Sequence, residues 1–159
     1  YPNTAGTSGN VLTSDGTNWT SATPSGGSFF IPGNSSLTAF ADSTTYNLVI
    51  FGSGAVSASS AGTRTYIPKA CTLTVFYGFA TRTGTASTES ITVAIRLNDT
   101  SNTNITTSLN IGHATSTEFS NTGLGLSLAQ GDFIDVIVIV PSMATNPTNV
   151  AWRYTIGFN

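Results

Sequence analysis

Charge is what this sequence lacks most. Lys, Arg, Asp and Glu together make up 8 % of its 159 residues, against about 25 % in an ordinary soluble domain. Five basic side chains, spread along a chain of net charge −2, form no cluster that could neutralise phosphates. Nucleic acid is therefore not expected as a partner, nor is anionic lipid. Histidine occurs once, as His113. A histidine-built metal site is excluded, and any Ser-His-Asp triad would hang on that one residue, with no Gly-x-Ser-x-Gly elbow to support it. The single cysteine, Cys71, cannot close a disulfide within the chain. It reads as a small buried hydrophobe, the alternative being a bridge between subunits. No apolar run reaches 18 residues, so no helical membrane insertion is expected. No secretory leader is expected within these residues, and the start at Tyr1 suits a processed chain or a piece of a longer one.

In place of charge stand hydroxyls and amides. Ser and Thr together are about 30 % of the residues, beside 16 Gly. Such a surface has little charge repulsion and tolerates close neighbours, so it permits assembly. The 39 % of hydrophobic residues is enough for one core. The division is uneven. Residues 1–28 are poor in apolar groups, with an Asp15-Gly16 turn signal and an isolated Trp19, and read as an extended arm or linker. Residues 29–159 alternate with period two and show no helical period. Over 71–79, Cys71, Leu73, Val75, Tyr77 and Phe79 fall on one face. Over 91–97 the apolar set is Ile91, Val93, Ile95 and Leu97; over 104–111 it is Ile105, Leu109 and Ile111. The last segment alternates Val150, Trp152, Tyr154, Ile156 and Phe158, the arrangement of a core face rather than a sugar platform. Turn clusters at 82–87, 98–102, 129–132 and 142–149 separate these runs. The pattern predicts an all-β, antiparallel two-sheet jelly-roll sandwich of about eight to ten strands with no helix.

Two segments break the alternation. Residues 133–140 are apolar on both sides, and 46–51 are similar. The outer face of a two-layer sandwich normally meets water, so these side chains predict a cover, which a loop could supply but another copy of the chain supplies more economically. Leu48, Ile50, Val136, Val138 and Val140, with Trp19 as an anchor, are the expected subunit interface.

Chemistry is scarce. Asp132 and Asp135 are the only close carboxylate pair. Three apart on a strand they point to opposite faces and cannot flank one glycosidic bond. Asp99 or Asp132 could serve calcium with loop carbonyls, but no calcium-loop pattern surrounds them. No catalytic residue, metal or cofactor is expected. Sequons at Asn18, Asn34, Asn98 and Asn104 are what this composition supplies by chance.

Gly6, Gly9, Val11, Leu12, Ser14, Gly16 and Trp19 together resemble the Gly-x-x-Gly-x-Val-Leu-x-Ser-x-Gly-x-x-Trp linker of bacteriophage tail fibres, which precedes a C-terminal β-module. Residues 67–73, 93–100 and 131–136 are similar to that module and to trimeric jelly-roll heads of the tumour necrosis factor and complement type. Residues 122–129 are similar to a stretch in trimeric heads of spore-surface collagen-like glycoproteins. The resemblance implies a homotrimeric fibre tip on a virion or in the extracellular space, presenting variable loops to a host receptor, often a glycan. It transfers no binding residue. A second expectation is an extracellular filament subunit whose 1–28 arm adds a strand to the next subunit's sheet. A glycan-cleaving enzyme is the third, disfavoured by its missing carboxylate pair.

Overall fold

The computed structural model describes residues 10–14, 16–22, 27–87, 89–111 and 116–159. Thirteen strands appear among them: β1 (Val11–Ser14), β2 (Trp19–Ala22), β3 (Phe29–Ala39), β4 (Thr45–Leu48), β5 (Gly52–Ala55), β6 (Thr65–Tyr66), β7 (Cys71–Arg82), β8 (Ser90–Leu97), β9 (Ser101–Asn110), β10 (Ser116–Asn121), β11 (Leu126–Leu128), β12 (Phe133–Ile139) and β13 (Thr148–Phe158). The one helical element described is a 3-10 turn, Ser60–Gly62.

Their pairing is nested. β3 lies against β13, β4 against β12, β7 against β10 and β8 against β9, all antiparallel. This long ribbon rolls into two sheets, ordered β10-β7-β13-β3-β5 and β4-β12-β8-β9. That is the jelly roll the alternation predicts, with eight strands forming the roll. Three short strands are added by the connections: β5 pairs parallel to β3, β6 extends one edge of β12, and β11 pairs with β7. The arm differs from the expectation of one extended segment. β1 and β2 pair with each other as a hairpin, with Ser14 opposite Trp19 at its closed end.

The core lies between the sheets. Val150, Trp152, Ile156 and Phe158 of β13 are 1 % exposed or less, as their alternation predicts. Phe76 and Tyr154 stack at 5.3 Å, and Phe119 meets the Trp152 ring edge-on at 6.2 Å. The Tyr154 hydroxyl donates to the Val49 carbonyl at 2.5 Å. Burial raises its pKa above the ordinary tyrosine range. Ser35 Oγ, equally buried, accepts from the Val49 N–H at 2.7 Å. These bonds tie β3, β13 and the turn after β4 together from inside.

β7 departs from simple alternation. Leu73 pairs with Phe158 and Val75 with Gly157, so Thr74 is an extra residue on β7, a β-bulge. Such an insertion flips all that follows to the opposite face. Leu73, Phe76 and Ala80 are fully buried while Tyr77 is exposed. The expectation that Val75, Tyr77 and Phe79 share the inward face with Leu73 is thus corrected. They face outward.

Candidate functional site

The interface expected from sequence is found inside one chain. Leu48, Ile50, Val136, Val138 and Val140 are between 0 and 1 % exposed and belong to the sandwich core. They form no surface for another copy, and the expectation is corrected. The reason lies in the position of β12, flanked by β4 and β8 within its sheet. Its Val136 and Val138 face the opposite sheet. Its other face, with Asp135 and Ile137, is equally buried. There the connection between β5 and β6 lies against the sheet. The Thr63 hydroxyl donates to Asp135 Oδ1 at 2.9 Å, Arg64 sits over the Phe133 ring at 4.4 Å, and Asn47, paired with Ile137, is bridged to Ser57. The cover is the chain's own. Trp19 is in β2; its side chain, like His113, lies outside the described residues.

Asp99 and Asp132 are engaged by protein groups. Asp132 accepts from Asn98 Nδ2 at 2.9 Å and from the Ala129 N–H at 2.8 Å. Asp99 pairs with Arg64. Asn98 and Asp99, at φ of 50° and 58°, form the tight turn from β8 to β9, the left-handed conformation that short polar side chains tolerate. Asn98 Oδ1 also accepts from the Phe133 N–H at 3.0 Å. The oxygens considered for calcium are therefore committed to turn geometry. Asp135 is buried, with Oδ2 lacking a donor. Desolvation raises its pKa above the usual carboxylate range, opposed by the Thr63 hydrogen bond; Asp99 raises it further, while Arg96 and Arg64 lower it. Among the described residues no three His, Cys, Asp or Glu side chains gather in a way that could hold a metal. No described helix is long and apolar enough to cross a membrane.

What the sequence reading missed is a cluster of exposed rings at one end of the sandwich. Phe29, Phe30, Phe51 and Tyr66 are 47, 63, 60 and 62 % exposed, and all four border one cleft of about 570 Å³. They come from the start of β3, the residue before β5, and β6, three places that only the fold brings together. Phe29 stacks on Phe158 at 4.7 Å and Tyr66 leans on Phe133 at 5.6 Å. Phe29 and Tyr66 thus each have one side against another ring while staying about half-exposed or more. Among the described residues, Lys69 is the one charged side chain on this cleft. Half-buried Cys71 also borders it, its thiol pKa pushed up by burial.

No protein-family model matches the chain, and no curated protein matches it either. Among solved structures, the chain is similar to one in the "Structure of infectious bursal disease virus Gx strain". The TM-score is 0.50 at 10 % identity, covering 93 % of this chain and 36 % of that one. The likeness is one of fold: an all-β sandwich spanning about a third of the viral chain.

Proposed function

We propose that the chain is a non-enzymatic structural surface module, of a virion or another extracellular assembly. Residues 29–159 form its sandwich and 1–28 its arm; it self-associates and presents its remaining surface to a host receptor or glycan. One observation carries the self-association: four partly exposed aromatic rings around a cleft that has, among the described residues, a single charged side chain. Interface centres are enriched in aromatics and depleted of charge, because a ring buries a large area with few rotors and no ion to desolvate. With 150–250 Å² per ring and about half exposed, the four offer on the order of 400 Å². That is half of the roughly 800 Å² each partner contributes to a stable interface, and hydroxyl-rich flanks can supply the rest. The fold shared with a chain of infectious bursal disease virus supports a virion setting. The tail-fibre-like arm supports a closed homotrimer.

Sedimentation velocity of the 159-residue chain and of Phe30→Ser, Phe51→Ser and Tyr66→Ser tests this. A trimer is expected for the parent chain at micromolar concentration, with each variant weakening association at least about thirtyfold, as loss of a 2 kcal/mol anchor does. The rings are exposed, so melting temperatures should stay close to the parent's. A parent chain monomeric at about 100 μM, a modest requirement on the affinity scale, overturns the proposal. In the filament reading the arm donates a strand to its neighbour, yet here β1 and β2 already pair with each other.

A further inference from the structure

We infer that the outer face of the six-stranded sheet, around Tyr77, binds a neutral oligosaccharide. This deepens the display reading above and rests on it, naming the surface presented and the chemistry it recognises.

The bulge at Thr74 creates this surface. Without it Tyr77 and Phe79 would face the core; with it they stand outward in the middle of the sheet. Their cross-strand neighbours are in register. One row runs Glu118, Phe79, Arg153, Asn34 across β10, β7, β13 and β3. The adjacent row runs Ser120, Tyr77, Thr155, Pro32. Together they border an open trough of about 740 Å³. Tyr77 is 54 % exposed. Arg153 lies over the Phe79 ring at 5.9 Å, a cation–π contact that holds the guanidinium over the sheet.

These groups select a ligand class. Glu118 and Arg153 are the charged residues bordering the trough, and they cancel, so neither a polyanion nor a basic peptide gains from long-range attraction. Carboxylate, guanidinium and amide are planar groups that make paired hydrogen bonds, which matches two adjacent hydroxyls on a sugar ring. A pyranose also has an apolar C–H face, and the flat Tyr77 ring is its complement. Pockets for small ligands enclose most of the ligand's surface; an open trough suits a chain of sugars crossing the strands. Bulges recur where a strand must re-aim a side chain beside a functional site.

The test is calorimetric titration of the full chain with cellohexaose, chitohexaose and mannohexaose, with a heparin hexasaccharide as the charged comparison. At least one neutral hexasaccharide is expected to bind. Tyr77→Ala and Arg153→Ala should each weaken it about tenfold or more, corresponding to 1.4 kcal/mol, whereas Tyr77→Phe should stay within a few-fold. No binding of any neutral probe at about 5 mM, weaker than the millimolar end of the affinity scale, overturns the inference. So does tighter binding of the heparin fragment, or an affinity unchanged in Tyr77→Ala. A Tyr77→Ala protein that changes its oligomeric state instead assigns the face to a second copy and also overturns it. Phe51→Ser, which lines the ring-bordered cleft and not the trough, separates the two readings. Sugar binding retained in a dissociated Phe51→Ser chain supports the platform independently of assembly.

Discussion

Asp132 and Asp135, three residues apart, respond to pH in opposite senses. Hydrogen bonds from Asn98 and the Ala129 N–H hold Asp132 below its ordinary pKa of 3.8. A carboxylate lowered in this way contributes stability that is present above the unfolded pKa and lost as pH falls through the folded one. Asp135 is raised above 3.8, by burial first. Its contribution is full below the unfolded pKa and is lost as pH rises through the folded value. Asp132→Asn should therefore lose stability at pH 7 and lose part of the acid slope below pH 3.8. Asp135→Asn should remove the loss that Asp135 causes on going from acid to neutral pH. Urea midpoints measured across the acid range check both. Leu48→Ala tests the corrected interface assignment. As a fully buried side chain it should cost about 2–5 kcal/mol, with the sedimentation coefficient of the folded protein unchanged.

At the scale of elements, β13 is read directly from sequence and β7 is not. Five alternating apolar residues specify one buried face of β13 whatever else is present. In β7, Cys71 to Phe79 alternate just as well, but Thr74 is a residue that no partner position matches. A bulge has no mark in a single strand's sequence because it is a property of the pairing. Its neighbours give a partial signal: Gly78 lies between Phe119 and Tyr154 in the register. A methyl at Gly78 would come within 2.6 Å of the Phe119 ring. Gly78→Ala should cost about 1–3 kcal/mol through overpacking. Deletion of Thr74 should cost at least about 3 kcal/mol, since one half of β7 must then turn its core residues to water. Chemical denaturation followed by tryptophan fluorescence measures both. β12 is the other element whose pattern is legible in the sequence while its partner is not. Its two apolar faces do need two covers, and the second is the β5–β6 connection, whose hydroxyl-rich sequence gives no sign of lying against a sheet.

For the whole molecule, the nested ribbon pairs β3 with β13, the beginning of the sandwich with its end. Closing so long a loop precedes any reward from pairing, so folding should be slow, in the millisecond-to-second range typical of all-β topologies. β13 is also central in its sheet, between β7 and β3. A chain ending at residue 147 should lack the cooperative unfolding transition seen for residues 1–159, as checked by circular dichroism melts.

The sequence by itself determined the all-β class, the two-sheet arrangement, the core face of β13 and the scarcity of acid–base and metal-binding groups. These follow from period-two patterning and composition, which are local quantities. Tertiary structure alone decided which apolar side chains reach water. The bulge turned Tyr77 outward, the β5–β6 connection closed over β12, and three distant segments brought Phe29, Phe30, Phe51 and Tyr66 to one end. Exposure depends on what packs against a residue from elsewhere in the chain, and no local pattern contains that.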